Sequence, residues 1–520
     1  MQPQTLGVIK QFPNQNLAHM NQLLKWKWQL ASPLIGVLMT LAFAPYGFSY
    51  AAILALMFLY QSWLKLSVKQ AVLSGYLLGL GLFGSGIWWI YVSVHDAGGA
   101  DPVSAVLLTL LAVAFFAVFP ALTAGLAVRV LKSRVVLLRI FAAALLWVVI
   151  EYFRGYWLLN GFPWLQIAYS QLSTPLAGFA PLIGVYGIGF LLAISAFSVV
   201  EILRRKLMPW FGLAMLLVIW AGGSWLKTVQ WTQAAGEPIK ITLVQGNVSQ
   251  TQKWLPNQKL NTLQLYQSLT EQHWDSQVII WPETAIPAFL SQVKQFYLEP
   301  LAASAREHGV DLVVSLPSGE GKQYFNSVLN VSDMQTLYHK NHLLPFGEYL
   351  PLQPLSGWIL DLIEIPLGSF TAGGDKQPLL TAGGHHFVTT ICYEDAFGEL
   401  VARQLADAEY LVNVTNDAWF GDTSQPHQHM QMAQMRALET GRYLVRATNT
   451  GTTGFVAPDG SIIQQAPLFS TTTLTDSIVP MTGLTPYAKW GDKTVFAVLI
   501  ALVLLLWGLQ LGLVKLRERD

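Results

Sequence analysis

The sequence predicts two joined parts, an α-helical membrane domain and a soluble domain of the α/β class. Three observations carry that prediction. The 520 residues are 53% hydrophobic and only 12% charged, with a mean hydropathy of +0.41, whereas a soluble protein carries about 25% charged residues. The apolar excess is uneven: it fills 29–230 and returns at 492–514, while 238–488 has ordinary globular composition. Within 238–488, short apolar or β-branched runs alternate with helical stretches, the pattern of a layered α/β fold. The net charge of +1 implies no bulk attraction to nucleic acid, so none is expected as a partner.

A helix crosses the hydrocarbon core with about 20 mainly apolar residues. Eight segments qualify: 29–46, 48–66, 70–94, 102–128, 135–153, 177–202, 208–227 and 492–514. Seven make a membrane domain over 29–230, and the eighth follows the soluble domain. The first two meet at a tight turn, Ala-Pro-Tyr-Gly-Phe (44–48). The third carries Gly75, Gly79, Gly81, Gly84 and Gly86, small residues that let helices approach closely.

Basic residues set the orientation. Lys25 and Lys27 precede the first span, and Lys65 and Lys69 follow the second. Arg129, Lys132, Arg134 and Arg139 follow the fourth, Arg204, Arg205 and Lys206 the sixth, and Lys515, Arg517 and Arg519 the eighth. The alternate loops hold no basic excess, so the positive-inside rule makes the basic side cytoplasmic. Segments 1–28 and 515–520 are then cytoplasmic, and 238–488 lies outside the inner membrane, in the periplasm of a bacterium. The first 28 residues are polar without a small-residue cleavage site, so no removed signal peptide is expected. The outer loop 151–164 is aromatic and holds an ion-pair candidate in Glu151 and Arg154. Its rings read as interface anchors. Alternatively, the loop props the soluble domain or lines a lipid entrance.

In the soluble domain, strands are expected at 239–247, 277–281, 311–315, 327–331, 386–392, 410–414 and 443–448, and helices near 257–274, 291–308, 396–407 and 425–441. Cys392, the only cysteine, sits in Thr-Thr-Ile-Cys-Tyr-Glu-Asp (389–395) at the end of one of these runs. A lone thiol forms no internal disulfide, so it is either a small buried hydrophobe or a nucleophile. Two other segments favour chemistry. Trp-Pro-Glu-Thr (281–284) puts Glu283 just past a strand end. Tyr-His-Lys-Asn-His-Leu-Leu-Pro-Phe-Gly-Glu-Tyr (338–349) holds Lys340 and Glu348 in an aromatic and apolar stretch. A Glu, a Lys and a Cys near strand ends suit thiol acyl chemistry: the Glu takes the thiol proton and the Lys stabilises the oxyanion and favours thiolate.

These three segments resemble the nitrilase superfamily, whose catalytic set is Glu, Lys and Cys. With seven spans before the domain and one after, the chain is similar to the membrane-embedded branch, the bacterial apolipoprotein N-acyltransferases. Further similar segments are Gln-Gly-Asn (245–247), Lys253-Trp254, Tyr-Phe-Asn-Ser (324–327), Asn-Val-Thr-Asn-Asp-Ala-Trp-Phe-Gly (413–421), Thr-Asn-Thr-Gly (448–451) and 151–164. The resemblance implies an α-β-β-α sandwich on an eight-helix membrane domain. It implies Cys392 as nucleophile, Glu283 as base and Lys340 as oxyanion stabiliser. Glu348 becomes a supporting carboxylate, Tyr393 and Glu394 flank the nucleophile, and Trp254 and Asn326 lie near substrate. The implied reaction moves an acyl chain, typically sn-1 of phosphatidylethanolamine, through a thioester to the N-terminal amine of diacylglyceryl-cysteine in apolipoproteins.

No cofactor or metal is expected. His339, His342, His385 and His386 lack a helical His-x-x-x-His spacing or a cysteine partner, and His427 and His429, at a polar helix start, are expected to be solvated. The apolar segment 350–367 reads as a membrane-facing arm beside the site, against the alternative of a buried core helix. Two rival functions are a membrane-tethered amidase for a small substrate, for which eight spans are more than a tether needs, and an inactive binding module.

Overall fold

The computed structural model describes residues 15–320, 323–351 and 370–517. All eight apolar segments fall on helices: α1 (Gln15–Thr40), α2 (Tyr50–Trp63), α3 (Val68–Gly86), α4 (Pro102–Val130), α5 (Val136–Tyr152), α6 (Ala180–Leu203), α7 (Pro209–Leu226) and a C-terminal helix, Pro486–Arg517. Among the described residues, five helical stretches are long and apolar enough to cross a membrane: Pro102–Val130, Val136–Asn160, Pro175–Leu203, Pro209–Leu226 and Pro486–Gly512. Val68–Gly86 and Ile90–Ala97 qualify together but are bent by 56°, and Tyr50–Trp63 is apolar but shorter. These helices form a membrane domain. All but the first two residues of 350–367, the expected arm, lie outside the described residues.

Small and hydroxyl residues bring α1, α3 and α4 together. Gly75 and Gly79 lie against Pro120 and Ala117 of α4, and Gly81 against Pro33 of α1. Ser32 and Ser74 share a hydrogen bond of 2.6 Å, as do Thr40 and Ser85 at 2.7 Å, the kind of polar contact that joins helices in lipid. On the far side, fully buried Glu201 of α6 accepts from Tyr60 of α2 at 2.8 Å and pairs with Arg139 of α5 at 3.0 Å.

Among the described residues, beside a two-stranded pairing of Gln233–Ala234 with Met481–Thr482, twelve strands of the soluble part form two six-stranded sheets. They are β1 (Ile239–Gln245), β2 (Val278–Ile280), β3 (Asp311–Glu320), β4 (Gln323–Asn330), β5 (Leu337–His339), β6 (Leu380–Ala382), β7 (His385–Ile391), β8 (Tyr410–Thr415), β9 (Leu444–Thr448), β10 (Gly454–Val456), β11 (Ile462–Gln465) and β12 (Thr472–Ile478). The first sheet runs β12-β1-β2-β3-β4-β5 and the second β11-β10-β9-β8-β7-β6. β1, β2 and β3 are parallel, and so are β7, β8 and β9.

The alternation of each strand fixes the layers. Ile239, Ile241, Leu243, Val278 and Ile280 meet Phe387, Ile391, Val412 and Val445 between the sheets. Val244, Ile279, Leu312 and Val314 face outward onto α8 (Pro256–Glu271) and α9 (Glu299–Glu307). The second sheet carries α10 (Gly398–Arg403) and α11 (Gln425–Thr440) on its outer face. The result is the expected α-β-β-α sandwich. α11 is buried on two sides: Met430, Ala433 and Ala437 pack on the sheet, and Met432, Met435 and Leu438 join the core of the membrane domain.

Glycine positions in α3 give a contrast that tests this packing. A Cβ at Gly79 would stand 2.6 Å from the Ala117 Cα, whereas at Gly84 the nearest atom is 3.8 Å away. Gly79→Val is expected to cost about 1–3 kcal/mol through overpacking and to lower the melting temperature of the detergent-solubilised protein. Gly84→Ala is expected to leave it unchanged or slightly raised.

Candidate active site

The two sheets contribute different parts of one cluster. The first sheet supplies Glu283, three residues beyond β2, Asn326 on β4, and Lys340, the first residue after β5. The Lys340 backbone N–H donates to the Asn326 carbonyl at 2.8 Å, which extends the β4–β5 ladder to the reactive side chain. The second sheet supplies Cys392, the first residue after β7. Glu348 enters from the loop after Lys340.

Hydrogen bonds join these groups. Asn326 Nδ2 donates to Glu283 Oε1 at 2.7 Å and, at 3.4 Å, to Glu348 Oε1. Lys340 Nζ lies 2.9 Å from both oxygens of Glu348, whose Oε2 also accepts from the Leu344 N–H at 2.8 Å. Buried Lys253 donates to the Glu283 carbonyl at 3.3 Å. Trp254 is the C-cap residue of the short helix Gln250–Lys253, next in the chain to Lys253.

Burial sets the charge states. It raises the Glu283 carboxyl, with Lys340 opposing and Glu348 reinforcing the shift. At Lys340 burial disfavours the ammonium, but Glu348, Glu283 and the neighbouring Cys392 outweigh it and hold the side chain charged. Lys253, with less compensation, is pushed down to about 8 by burial. Burial also pushes the Cys392 thiol up; Glu283 and Asp417 reinforce this, and Lys340 opposes it. Lys340 thus favours the thiolate, but burial and Glu283 outweigh it and favour the neutral thiol, which leaves a proton for a base to take.

Cys392 adopts φ +52°, a left-handed conformation that costs a non-glycine residue about 1–3 kcal/mol. Its turn is held by Glu394, which is fully buried. The Glu394 carboxylate accepts from the Ile391 N–H at 2.8 Å, the Asn341 N–H at 2.7 Å, the His342 N–H at 2.9 Å and the Tyr338 hydroxyl at 3.0 Å. One side chain thus fixes the residue before Cys392 to the residues around Lys340. Burial dominates its titration and raises it to about 7, against the N–H donors.

The cluster sits at the junction with the membrane domain. The Tyr393 hydroxyl donates to the Gly161 carbonyl at 2.7 Å, and its ring stacks on Trp164 with centroids 6.3 Å apart. Asn160 Nδ2 donates to the Leu343 carbonyl at 2.8 Å, and His342 lies 2.6 Å from the Asn160 carbonyl. Gln428 of α11 accepts from Trp164 and Trp89 at 2.7 and 3.2 Å and donates to the Gly86 carbonyl at 3.1 Å. The 151–164 loop therefore props the soluble part through its second half, while Trp157 and Phe153 remain exposed. Glu151 and Arg154 do not pair directly. Arg154 donates to the carbonyls of Phe162 and Trp164, and Glu151 accepts from the Ile167 N–H.

Glu283, Asn326, Lys340, Glu348, Cys392, Tyr393 and Glu394 are thus brought together, while Trp254 is linked to them only through its chain neighbour Lys253. Lys253, marked in the sequence only by its place beside Trp254, is a further member. His429, expected to be solvated, is instead buried between Asp395 and Asp417 at 2.9 and 3.0 Å. The polar start of α11 looked exposed because its partners are distant in sequence.

The family model for the apolipoprotein N-acyltransferase N-terminal domain matches residues 35–198, and that for carbon-nitrogen hydrolase matches residues 240–487. A relative from Methylococcus capsulatus named apolipoprotein N-acyltransferase is 49% identical over 463 residues, covering 88% of this chain and 91% of its own. The chain belongs to the apolipoprotein N-acyltransferase family. Bearers of the same name from Nitrosomonas europaea and Pseudomonas aeruginosa are 42% and 41% identical, over 92% and 95% of this chain and 96% and 98% of their own. Among solved structures, a Nesterenkonia AN1 amidase of the nitrilase superfamily superposes with a TM-score of 0.36 at 19% identity, over 49% of this chain and 95% of its own.

A neutral resting thiol has a measurable consequence for this family member. Alkylation of Cys392 by iodoacetamide, followed by intact mass, should be slow at pH 7 and still rising above pH 9, past the ordinary cysteine pKa of about 8.5. A plateau below pH 8 would contradict the neutral thiol.

Proposed function

We propose that the chain transfers a fatty acyl group from a phospholipid to the α-amine of the diacylglyceryl-modified N-terminal cysteine of apolipoproteins, the last step of lipoprotein maturation. The donor is the sn-1 chain of phosphatidylethanolamine. The observation that carries this reading is the buried Glu283–Asn326–Glu348–Lys340 cluster meeting a lone, neutral cysteine on the face packed against membrane helices. The names of the relatives support the same activity.

In the first half-reaction Glu283 takes the Cys392 proton as Sγ attacks the ester carbonyl. A carboxyl raised by burial is a stronger base than a solvated one, which suits this transfer. The Lys340 ammonium, held in place by Glu348, compensates the oxyanion. The ester C–O bond breaks, the proton passes from Glu283 to the leaving alkoxide, and lysophospholipid departs. In the second half-reaction the lipoprotein amine attacks the thioester and loses its proton to Glu283. The C–S bond breaks, the amide is released, and the thiolate recovers that proton. A ping-pong route lets two bulky lipids use one pocket in turn.

Incubation with phospholipid alone should leave a fatty-acyl mass adduct on the intact protein, absent from Cys392→Ala. Glu283→Gln should slow single-turnover acylation about 10²–10⁴-fold. Lys340→Arg should slow it about 10²–10³-fold, since a planar guanidinium does not place a donor where a compact ammonium did. Acylation of the arginine variant at the unmodified rate would reduce the lysine to a charge partner.

For the membrane domain we infer eight spans in the inner membrane, with 1–28 and 515–520 cytoplasmic and 238–488 periplasmic. The one-sided basic loops support this orientation. Leu260, 61% exposed, offers a test: Leu260→Cys in a Cys392→Ala background should react with a membrane-impermeant maleimide from the periplasmic side. Labelling only from the cytoplasmic side would reverse the topology.

A further inference from the structure

The carbonyl of Cys392 is held by groups that the mechanism above does not use. His429 Nε2 lies 3.2 Å from it and 2.9 Å from Asp395 Oδ1, and His429 Nδ1 lies 3.0 Å from Asp417 Oδ1. Arg446 donates to Asp395 Oδ2 at 2.8 Å, Asp417 Oδ2 at 3.2 Å and Asn413 Oδ1 at 2.6 Å. Asn413 Nδ2 in turn donates to the Cys392 carbonyl at 3.3 Å and to Thr390 Oγ1 at 2.9 Å. His429, Asp395, Asp417, Arg446 and Asn413 are all buried.

Geometry fixes the protonation of His429. Both ring nitrogens face carboxylate oxygens, and only the imidazolium donates from both. A neutral ring would aim a lone pair at a buried carboxylate. The titration agrees: burial and Arg446 press His429 down, but Asp395 and Asp417 outweigh them and raise it to about 9. Two cations and two anions then sum to zero. The charged and titratable groups facing His429 are Asp395 from the turn after Cys392, Asp417 from the loop after β8, and Arg446 from β9. The Cys392 thiol lies beyond its own carbonyl, and on the membrane side the neighbour is the non-titrating Trp164 ring, with centroids 5.6 Å apart.

We propose that His429 is a positioning residue for acylation: its imidazolium neutralises the Asp395–Asp417–Arg446 cluster and, by gripping the Cys392 carbonyl, fixes the left-handed turn that aims the thiol. Neutrality matters because the field beneath the thiol is felt there. The Asp417 charge already opposes thiolate formation at Cys392, after burial and Glu283. Removing the imidazolium charge leaves one uncompensated anion in the same place. The proposal rests on Cys392 as the nucleophile of the function proposed above.

The test uses the full chain in detergent and three variants: His429→Gln, Asp417→Asn and the two combined. His429→Gln keeps a donor for the carbonyl but loses the charge. The primary readout is the pH profile of Cys392 alkylation by iodoacetamide, which needs no lipid; the second is single-turnover acylation by phosphatidylethanolamine. His429→Gln should move the alkylation profile up by about one pH unit, which is about tenfold slower reaction at pH 8, and should slow acylation at least as much. Asp417→Asn should move the profile down. The double variant, neutral again, should recover most of the alkylation rate, a rescue that loss of packing does not predict. A folded His429→Gln with an unchanged profile, or a double variant no faster than the single, overturns the proposal. If His429→Gln does not fold, Asp417→Asn decides: a profile that stays put or moves up overturns it. Failure of the unmodified chain to form an acyl adduct, with the alkylation shifts intact, would strike the proposed function and leave the positioning role standing.

Discussion

The reactive groups come from two different sheets, and every other feature of the site depends on holding those sheets in register at one point. Glu394 does this. Its carboxylate takes N–H groups from Asn341 and His342 on the Lys340 side and from Ile391 on the Cys392 side. A buried carboxylate costs several kcal/mol unless its lone pairs are filled, so the bond set and the position of the two loops are coupled. Displacing either loop would strip donors from an anion with no access to water. The Tyr338 hydroxyl adds a donor from β5, so the same carboxylate also locks the strand that delivers Lys340.

A second constraint comes from the membrane domain. The loop carrying Gly161 and Trp164 fits under Tyr393, and Gln428 of α11 is saturated by two indoles and one backbone carbonyl from that domain. A glutamine buried with its hydrogen-bonding groups satisfied is well tolerated, and the same glutamine with one partner missing is costly. The two parts of the chain therefore pack in a specific way rather than sliding over an apolar face. The left-handed Cys392 belongs to this arrangement: its strain is borne because Glu394 on one side and the His429–Asn413 grip on its carbonyl over-determine the turn.

What was legible in the sequence follows from these constraints. The seven expected strands are β1 to β4 and β7 to β9, the central strands, whose two buried faces write continuous apolar runs. The missed β5, β6, β11 and β12 are the four sheet edges, and β10 is only three residues long. β12 is rich in threonine and serine, yet it pairs along the full length of β1, because an edge strand can carry a polar face. Glu283 and Cys392 could be found because each follows a legible strand end, and Lys340 because it stands in an aromatic and apolar stretch. His429 could not, since a histidine beside glutamines on a polar stretch has no local mark of burial; the aspartates and arginine that enclose it are contributed by three other segments. Lys253 was hidden in the same way, being an ordinary lysine until the Glu283 carbonyl is brought to it.

The charge states carry the last step of the synthesis. A thiol held as thiolate would need no base, and Glu283 would have little to do. Here burial raises both the Cys392 thiol and the Glu283 carboxyl, so both charged forms are disfavoured, and proton transfer between them moves one negative charge without creating another. In the proposed cycle Glu283 relays one proton per half-reaction, first from the Cys392 thiol to the lysophospholipid alkoxide and then from the lipoprotein amine to the thiolate. The charge of Lys340 is already compensated by Glu348, so in the proposed role the ammonium can respond to a developing oxyanion without being unpaired at rest. Under the proposed function, the packing of this site against the membrane domain would favour transfer to a membrane-held amine over hydrolysis by bulk water.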